Sequence, residues 1–494
     1  MHQIANYQIK NIETQYINYQ QLKKTNVMKK LLLVVAAFML AANSFALVKD
    51  TAVYASTALY TFENLWIQSR YNPGSVFPAD GYGLATGSAR GMAGKDGKIL
   101  ICRREAAGLL IEKYMNKSNI LVYDGLTGDL LKTIPVPDSL FHQKDAVGDT
   151  LRAIGYPSND IQVDAAGNII LANMTINLAT SPFVVAALKL DLNAGTVLSA
   201  KRVMKEVFPL AATARIDAFN VYGDLLTNGY FMAPISGLLA GLSNFVYRWD
   251  VKAGVTSLDY KEIQIKRYVP IAAKFNNTAP RVKPISETLF YLDGQDSYAT
   301  LYDMEGNLID SISKPLFPAS PGNNGVDEFV IGSHNFVVYS HANTASAPNS
   351  SWAVAELGPG QSLSTMSRLY IFPKGGMGNT SNPVRTAVPY IDVVGNSAYI
   401  YVYGFANGLA AYKLTLKPTG LDKNEISNVS ISLIGSQIRI SDEVALAEIY
   451  STAGQKMTSS KNVSTISAPS AKGVYIVTIV DKNGAKKIQK VAVN

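Results

Sequence analysis

Cys102 is the only cysteine among 494 residues, so no intrachain disulfide can form and the fold has to rest on its core. Flanked by Ile99-Leu100-Ile101, Cys102 reads as a buried structural thiol on a strand. Histidine is nearly as scarce: His2, His142, His334 and His341 are all there is. His334 and His341 are seven apart across a predicted strand, which sends them to opposite faces. The chain has no CxxC, no HExxH, no Gly-x-Ser-x-Gly elbow and no phosphate loop, so no metal site and no cofactor is expected. The Asp-box of bacterial sialidases is missing as well. Charge is low, at 17% of residues, while hydrophobic residues reach 48%, a globular rather than disordered balance.

Half of the formal charge of +8 comes from the first 46 residues, which hold five lysines and one glutamate. The last segment, 421–494, has nine basic and six acidic groups, leaving the body at 31 against 30. A near-neutral body offers no electrostatic footprint for a phosphate backbone, and nucleic acid is excluded as a partner.

One apolar run stands out. Lys29-Lys30 precede Leu31 to Leu40, and Ala41-Ala42-Asn43-Ser44-Phe45-Ala46 follow, giving the three parts of a secretory signal peptide with cleavage after Ala46. The run is too short to span a bilayer comfortably, and no cysteine follows it to carry a lipid. Residues 1–27 have no amphipathic logic, so translation is expected to start at Met28, with 28–46 as the signal peptide. No transmembrane segment is expected in the mature chain.

What is present in abundance is β-compatible sequence. Tyrosine outnumbers phenylalanine 27 to 17, and one phrase recurs: strand, Gly-containing turn, strand, then a strand ending in an acidic residue before another glycine turn. Asp124 with Gly128, Asp191 with Gly195, Asp250 with Gly254 and Asp303 with Gly306 mark four copies, the acidic residues 67, 59 and 53 positions apart. Weaker copies begin at His334-Asn335 and Gly395-Asn396, which makes six. Four-stranded units with no helix between them bury their faces by stacking around an axis. The expected fold for 47–420 is an all-β propeller of six blades, seven being the alternative count, with Leu59 to Ile67 completing the last blade. A repeat near 60 residues implies long loops, notably Leu308 to Asn324 and Ala342 to Met366. The recurring Asp and Gly read as turn chemistry rather than calcium ligands. Over about residues 50–418 the body resembles uncharacterised secreted propeller-like proteins of gut and oral bacteria that use the type IX secretion route, a resemblance that implies no activity.

Gly420-Leu421-Asp422 and the polar Lys423-Asn424-Glu425 mark a boundary. Beyond it lie alternating strands, including Gly473-Val474-Tyr475-Ile476-Val477, then Asn483-Gly484, a strong hairpin signal, and a basic last strand ending Lys490-Val491-Ala492-Val493. Residues 421–494 are thus expected to form a small Ig-like β-sandwich. Its order of pieces resembles the type A sorting domain of type IX secretion, with Gly473, Val474, Tyr475 and Lys490 carrying the match. That resemblance implies the type IX machinery as partner and a secreted or outer-surface location on a Gram-negative bacterium.

Each predicted innermost strand starts with a polar or charged residue: Arg90, Asp160, Asp217, Arg281, Asp327 and Arg385. Such a ring of three cations and three anions could hold a polar glycan or peptide ligand; equally, the six could pair with one another. The neighbouring carboxylates Asp327-Glu328 should diverge along their strand. The resulting expectation is a non-enzymatic binding protein. The alternatives are a glycan-active hydrolase or lyase, whose groups would be dispersed over blades, and a structural surface component.

Overall fold

The computed structural model describes residues 54–69, 89–104, 118–144, 151–153, 157–175, 182–207, 215–236, 245–257, 259–267, 280–294, 297–313, 316, 324–342, 350–374, 376–377, 388–405, 407–417, 429–482 and 486–493. The signal peptide, its cleavage point at Ala46 and Arg385 lie outside the described residues.

The described body is all-β, built from six antiparallel sheets of four or five strands, with a two-stranded hairpin of His142–Lys144 and Leu151–Ala153 in the connection between the first two. Sheet 1 holds Ala89–Lys95, Lys98–Arg104, Ser118–Asp124 and Leu130–Pro135; sheet 2 holds Asp160–Val163, Ile169–Ala172, Phe183–Asp191 and Thr196–Glu206. Sheet 3 holds Asn220–Gly223, Gly229–Pro234 and Phe245–Lys252, with both Val255–Thr256 and Lys261–Gln264 on its outer side. Sheet 4 is Arg281–Pro284, Leu289–Gly294, Ser297–Asp303 and Leu308–Ser311; sheet 5 is Val326–Ile331, His334–Ala342, Ser351–Gly358 and Ser362–Phe372. Sheet 6 joins Tyr390–Val394, Ser397–Gly404 and Gly408–Leu416 to the distant strand Tyr60–Ser69. A strand from before the first sheet therefore completes the last one, as the sequence suggested.

One reading of the fifth repeat needs correction. Residues 351–358 and 362–366, assigned to a long loop, are strand, the second stretch opening the outermost strand of sheet 5, Ser362–Phe372. Leu308–Ser311, also assigned to a loop, is the outer strand of sheet 4. Outer strands are half solvated, so polar residues such as Ser362, Ser364 and Arg368 break the apolar signal without breaking the ladder.

Every sheet shares a core with the next. Leu100, Ile120 and Ile134 of sheet 1 pack on Ile161, Ile169 and Val184 of sheet 2. Ile170, Phe183 and Val185 meet Phe231 and Trp249 of sheet 3. Met232 and Val246 meet Val282 and Phe290 of sheet 4, and Tyr291 meets Val337 and Ala353 of sheet 5. Between sheets 5 and 6, Phe62 is stacked with Tyr370 at 4.7 Å and with Tyr412 at 5.3 Å. Tyr401 and Tyr403 then close on Ile99 and Tyr123 of sheet 1. A radial, propeller-like arrangement follows, because each sheet is apolar on both faces and hides both only between two neighbours. At the inner edge the approach is tight: a Cβ on Gly91 would sit 2.5 Å from Ile161 N.

The acidic turn residues do structural work. Asp124 Oδ1 accepts from the N–H groups of Leu126 and Thr127, and Asp191 Oδ1 from those of Asn193 and Ala194, all at 2.8–2.9 Å. Gly128 and Gly195 follow at φ 76°, a conformation that favours glycine. Asp250 departs from this scheme and accepts from Arg248 Nε at 2.8 Å instead.

The C-terminal unit is one five-stranded antiparallel sheet: Ile431–Ile434, Gln437–Ser451, Lys456–Ser467, Gly473–Val480 and Lys486–Val493. It wraps its own core of Ile438, Ile449, Val477 and Ile479. Gly473, Val474 and Lys490 lie on its last hairpin, where Lys490 pairs with Ile476. Tyr475 is buried and donates to Ala471 O at 2.9 Å, while Val474 is 47% exposed.

Candidate functional site: a charge network across the axis

The sheets impose a polarity on the body. At one end all connections within a sheet are tight turns of two to five residues, such as 96–97, 125–129, 332–333 and 395–396. The longer connections, among them 105–117, 136–159, 207–219, 265–280 and 373–389, leave from the other end, where the innermost strands begin. That loop-bearing end holds the charged residues singled out in the sequence.

Four of those six residues come together. Asp160, first residue of its strand in sheet 2, meets Arg281, first residue of its strand in sheet 4, at 3.4 Å; both side chains are 2% exposed. Arg281 Nη2 also donates to Arg90 O in sheet 1 at 3.0 Å, and its guanidinium lies 5.7 Å from the ring of Phe405, just after the second strand of sheet 6. Arg90 in turn reaches Asp217, just ahead of sheet 3, at 3.5 Å. Asp217 is buried and is also held by Arg215 Nε at 2.7 Å. Asp327 is not part of this group: it pairs with Lys283 at 2.9 Å between sheets 4 and 5. Its neighbour Glu328 points elsewhere and accepts from Tyr291 Oη at 2.8 Å. A ring of ligand-facing charges is thus, among the described residues, a set of mutual ion pairs centred on Arg281.

Backbone donors complete the network. Asp160 accepts from the N–H groups of Ile161 at 3.0 Å and Phe219 at 3.2 Å. Asn159 Nδ2 donates to Asp217 O at 2.6 Å, tying sheets 2 and 3. Burial lifts the Asp160 carboxyl to about 6, against the pull of Arg281 and the two N–H groups, so it is ionised and paired at neutral pH.

Asp293 escaped the sequence reading. It sits directly across the strand ladder from Arg281 and is fully buried. One carboxylate oxygen accepts from Gly325 N at 2.7 Å; the other, Oδ1, has no hydrogen-bond partner among the described residues, and neither has Arg281 Nε. Burial, only partly offset by Gly325 and Arg281, pushes Asp293 up to about 8, which keeps it protonated at pH 7. Asp293 lies near the end of its strand, Leu289–Gly294, where no charge pattern at strand starts marks its position opposite Arg281.

The histidines have separate partners. His334 Nδ1 is 2.6 Å from Glu356, and His341 Nε2 is 3.2 Å from Arg368 Nη1. Burial, reinforced by the Arg368 charge, lowers His341 to about 4, leaving it neutral. Among the described residues no group of three or more His, Cys, Asp or Glu is arranged to hold a metal ion, and no helix is long and apolar enough to cross a membrane.

No protein-family profile and no curated protein matches this chain. Among solved structures it is similar to a DUF4623 family protein from Bacteroides eggerthii, at 13% identity and TM-score 0.49, covering 74% of this chain and 77% of that one. It is also similar to the Trypanosoma rangeli sialidase in complex with sialic acid, at 8% identity and TM-score 0.38, covering 89% and 90%. A third is the Penicillium chrysogenum α-L-arabinanase complexed with arabinobiose, at 10% identity and TM-score 0.39, covering 72% and 99%. At these scores the likenesses carry no argument about what this chain does.

Proposed function

We propose that this is an exported binding protein whose body, a six-bladed propeller, presents a ligand face at its loop-bearing end. The observation that carries the reading is the asymmetry of the sheets. One end is sealed by turns of at most five residues, while the variable-length connections gather at the other. Rigid scaffolds place recognition on such loops. The charges beneath them, Arg281, Asp160, Arg90 and Asp217, are engaged with one another, which suits a structural floor better than a reactive centre. The ligand class is a glycan or a protein.

Export is supported by the basic, apolar and small-residue segments from Lys29 to Ala46. The C-terminal unit acts in this scheme as an Ig-like sorting domain read by the type IX machinery, through the hairpin of Gly473, Val474, Tyr475 and Lys490. Its self-contained core suits a tag that is handled apart from its cargo. The protein would then sit on the outer surface or in the medium of a Gram-negative bacterium.

A second reading, a glycan-active hydrolase or lyase, is favoured by one observation. Asp160 and Asp293 flank the same guanidinium with their proton affinities held apart, near 6 and 8, the pattern of an acid and base pair. Against it, both carboxyls are buried away from any substrate.

Glycan-array binding by the chain lacking its first 46 residues, run beside a glycan hydrolysis screen, separates the readings. Binding without turnover supports the first. Turnover abolished by Asp293→Asn supports the second, and silence in both assays points to a structural surface component.

A further inference from the structure

Arg281 has two carboxyl groups within its compass and uses one. Asp293 is its direct neighbour across the ladder of sheet 4, where opposed Cβ atoms lie roughly 5 Å apart. Arg281 nevertheless makes no ion pair with Asp293; it crosses the axis and bonds Asp160 of sheet 2 and the Arg90 carbonyl of sheet 1. Asp293 Oδ1 and Arg281 Nε are left without hydrogen-bond partners among the described residues, although both are buried. Unsatisfied buried polar atoms are costly, and here each of two residues paired across one ladder carries one, so a second arrangement of the same groups would satisfy both.

We propose that Arg281 is a two-position latch, held on Asp160 across the axis in the form described here and transferable to Asp293 on its own sheet. In the first position it ties sheets 1, 2 and 4 together at the loop-bearing end. In the second it releases sheets 1 and 2. The exchange conserves charge and protons: as Arg281 moves, Asp293 gives up its proton and Asp160 takes one. The geometry favours the first position at neutral pH because Asp160 there also accepts from two backbone N–H groups, and Asp293 from one.

The charged and titratable groups around the latch come from several elements. Sheet 1 supplies Arg90, whose guanidinium is on Asp217; the segment leading into sheet 3 supplies Asp217 and Arg215. Sheet 6 supplies Tyr403, buried beside Arg90 and Arg281 and held neutral. Lys283 and Asp327 pair with each other between sheets 4 and 5, one step further along the inner strands. Asp160 and Asp293 are thus the two groups through which acid acts directly on Arg281. The latch holds whether the loop-bearing end binds or catalyses.

Asp293→Asn tests it. Near pH 6 Asp293 is neutral, so an amide of the same shape changes no charge there but removes the carboxylate that Arg281 would move to. Carboxyl-carbon NMR titration of Asp160 should then show its midpoint falling by about one pH unit or more relative to wild type, since tenfold weaker competition is one unit. An unmoved midpoint overturns the latch and leaves Arg281 a fixed plug. Asp160→Asn gives the complementary structural readout: a crystal structure with Arg281 bonded to Asp293 supports the transfer, and Arg281 still pointing across the axis refutes it. Should Asp160→Asn fail to fold, the Asp293→Asn titration decides alone.

Discussion

Arg281 and Asp160 meet at 3.4 Å from sheets 4 and 2, which are not neighbours, and both side chains are buried. A buried pair adds little over a well-packed apolar substitute, but removing one partner strands the other as an uncompensated charge. Arg281→Met should therefore destabilise the body by about 3–5 kcal/mol at pH 8, measured by chemical unfolding. The loss should shrink at pH 5, where the stranded Asp160, with its carboxyl lifted to about 6, takes up a proton.

Asp293 makes a pH prediction of definite sign. Its folded pKa is raised to about 8, above the ordinary carboxyl value, so folding favours the protonated form. The stability it contributes is complete below about pH 4 and is lost as the pH climbs through 8. Asp160 has the same sign between about 4 and 6, whereas His341, lowered to about 4, opposes it by losing stability as the pH falls below its usual value. The clean window is pH 6.5 to 9. Melting temperature should decline there in the wild type, and Asp293→Asn should flatten the decline; a parallel slope in both would refute the assignment.

Phe62 is the clasp between the strand that precedes sheet 1 and the last sheets, stacked with Tyr370 and Tyr412. Phe62→Ala should cost about 3–5 kcal/mol. Because the seam between sheets 5 and 6 is the one closed by a strand distant in sequence, limited proteolysis should cut the variant before Tyr60–Ser69 faster than elsewhere.

The C-terminal unit carries a core of its own, with Ile479 fully buried. Ile479→Ala should cost that unit about 2–5 kcal/mol. Calorimetry should show a lowered transition for the unit while the transition of the body stays in place.

The sequence showed the body's strands well where they are apolar and bounded by turns. The strand around Ile99, the strands ending at Asp124, Asp191 and Asp303, and the closing strand Tyr60–Ser69 all lie where apolar runs and turn residues placed them. It failed at Ser351–Gly358, assigned to a loop. That strand begins Ser-Trp-Ala-Val-Ala and lies behind a Ser, Asn and Pro stretch that reads as irregular sequence. The candidate ring was half legible: residues at strand starts could be picked out by their charge, but Asp293, at a strand end beside a glycine, could not.

Composition and periodicity by themselves determined that this chain is β throughout its body, has no disulfide, and repeats one unit. Those properties depend on neighbours two to five residues apart, where strand alternation and turn geometry act. Only the tertiary structure decided which charge meets which. Arg281 and Asp160 are 121 residues apart, and nothing local to either distinguishes a ligand-facing side chain from half of a buried pair. Burial and the closure of the sheets on one another make that choice, since a charge removed from water must take the nearest opposite charge the fold supplies.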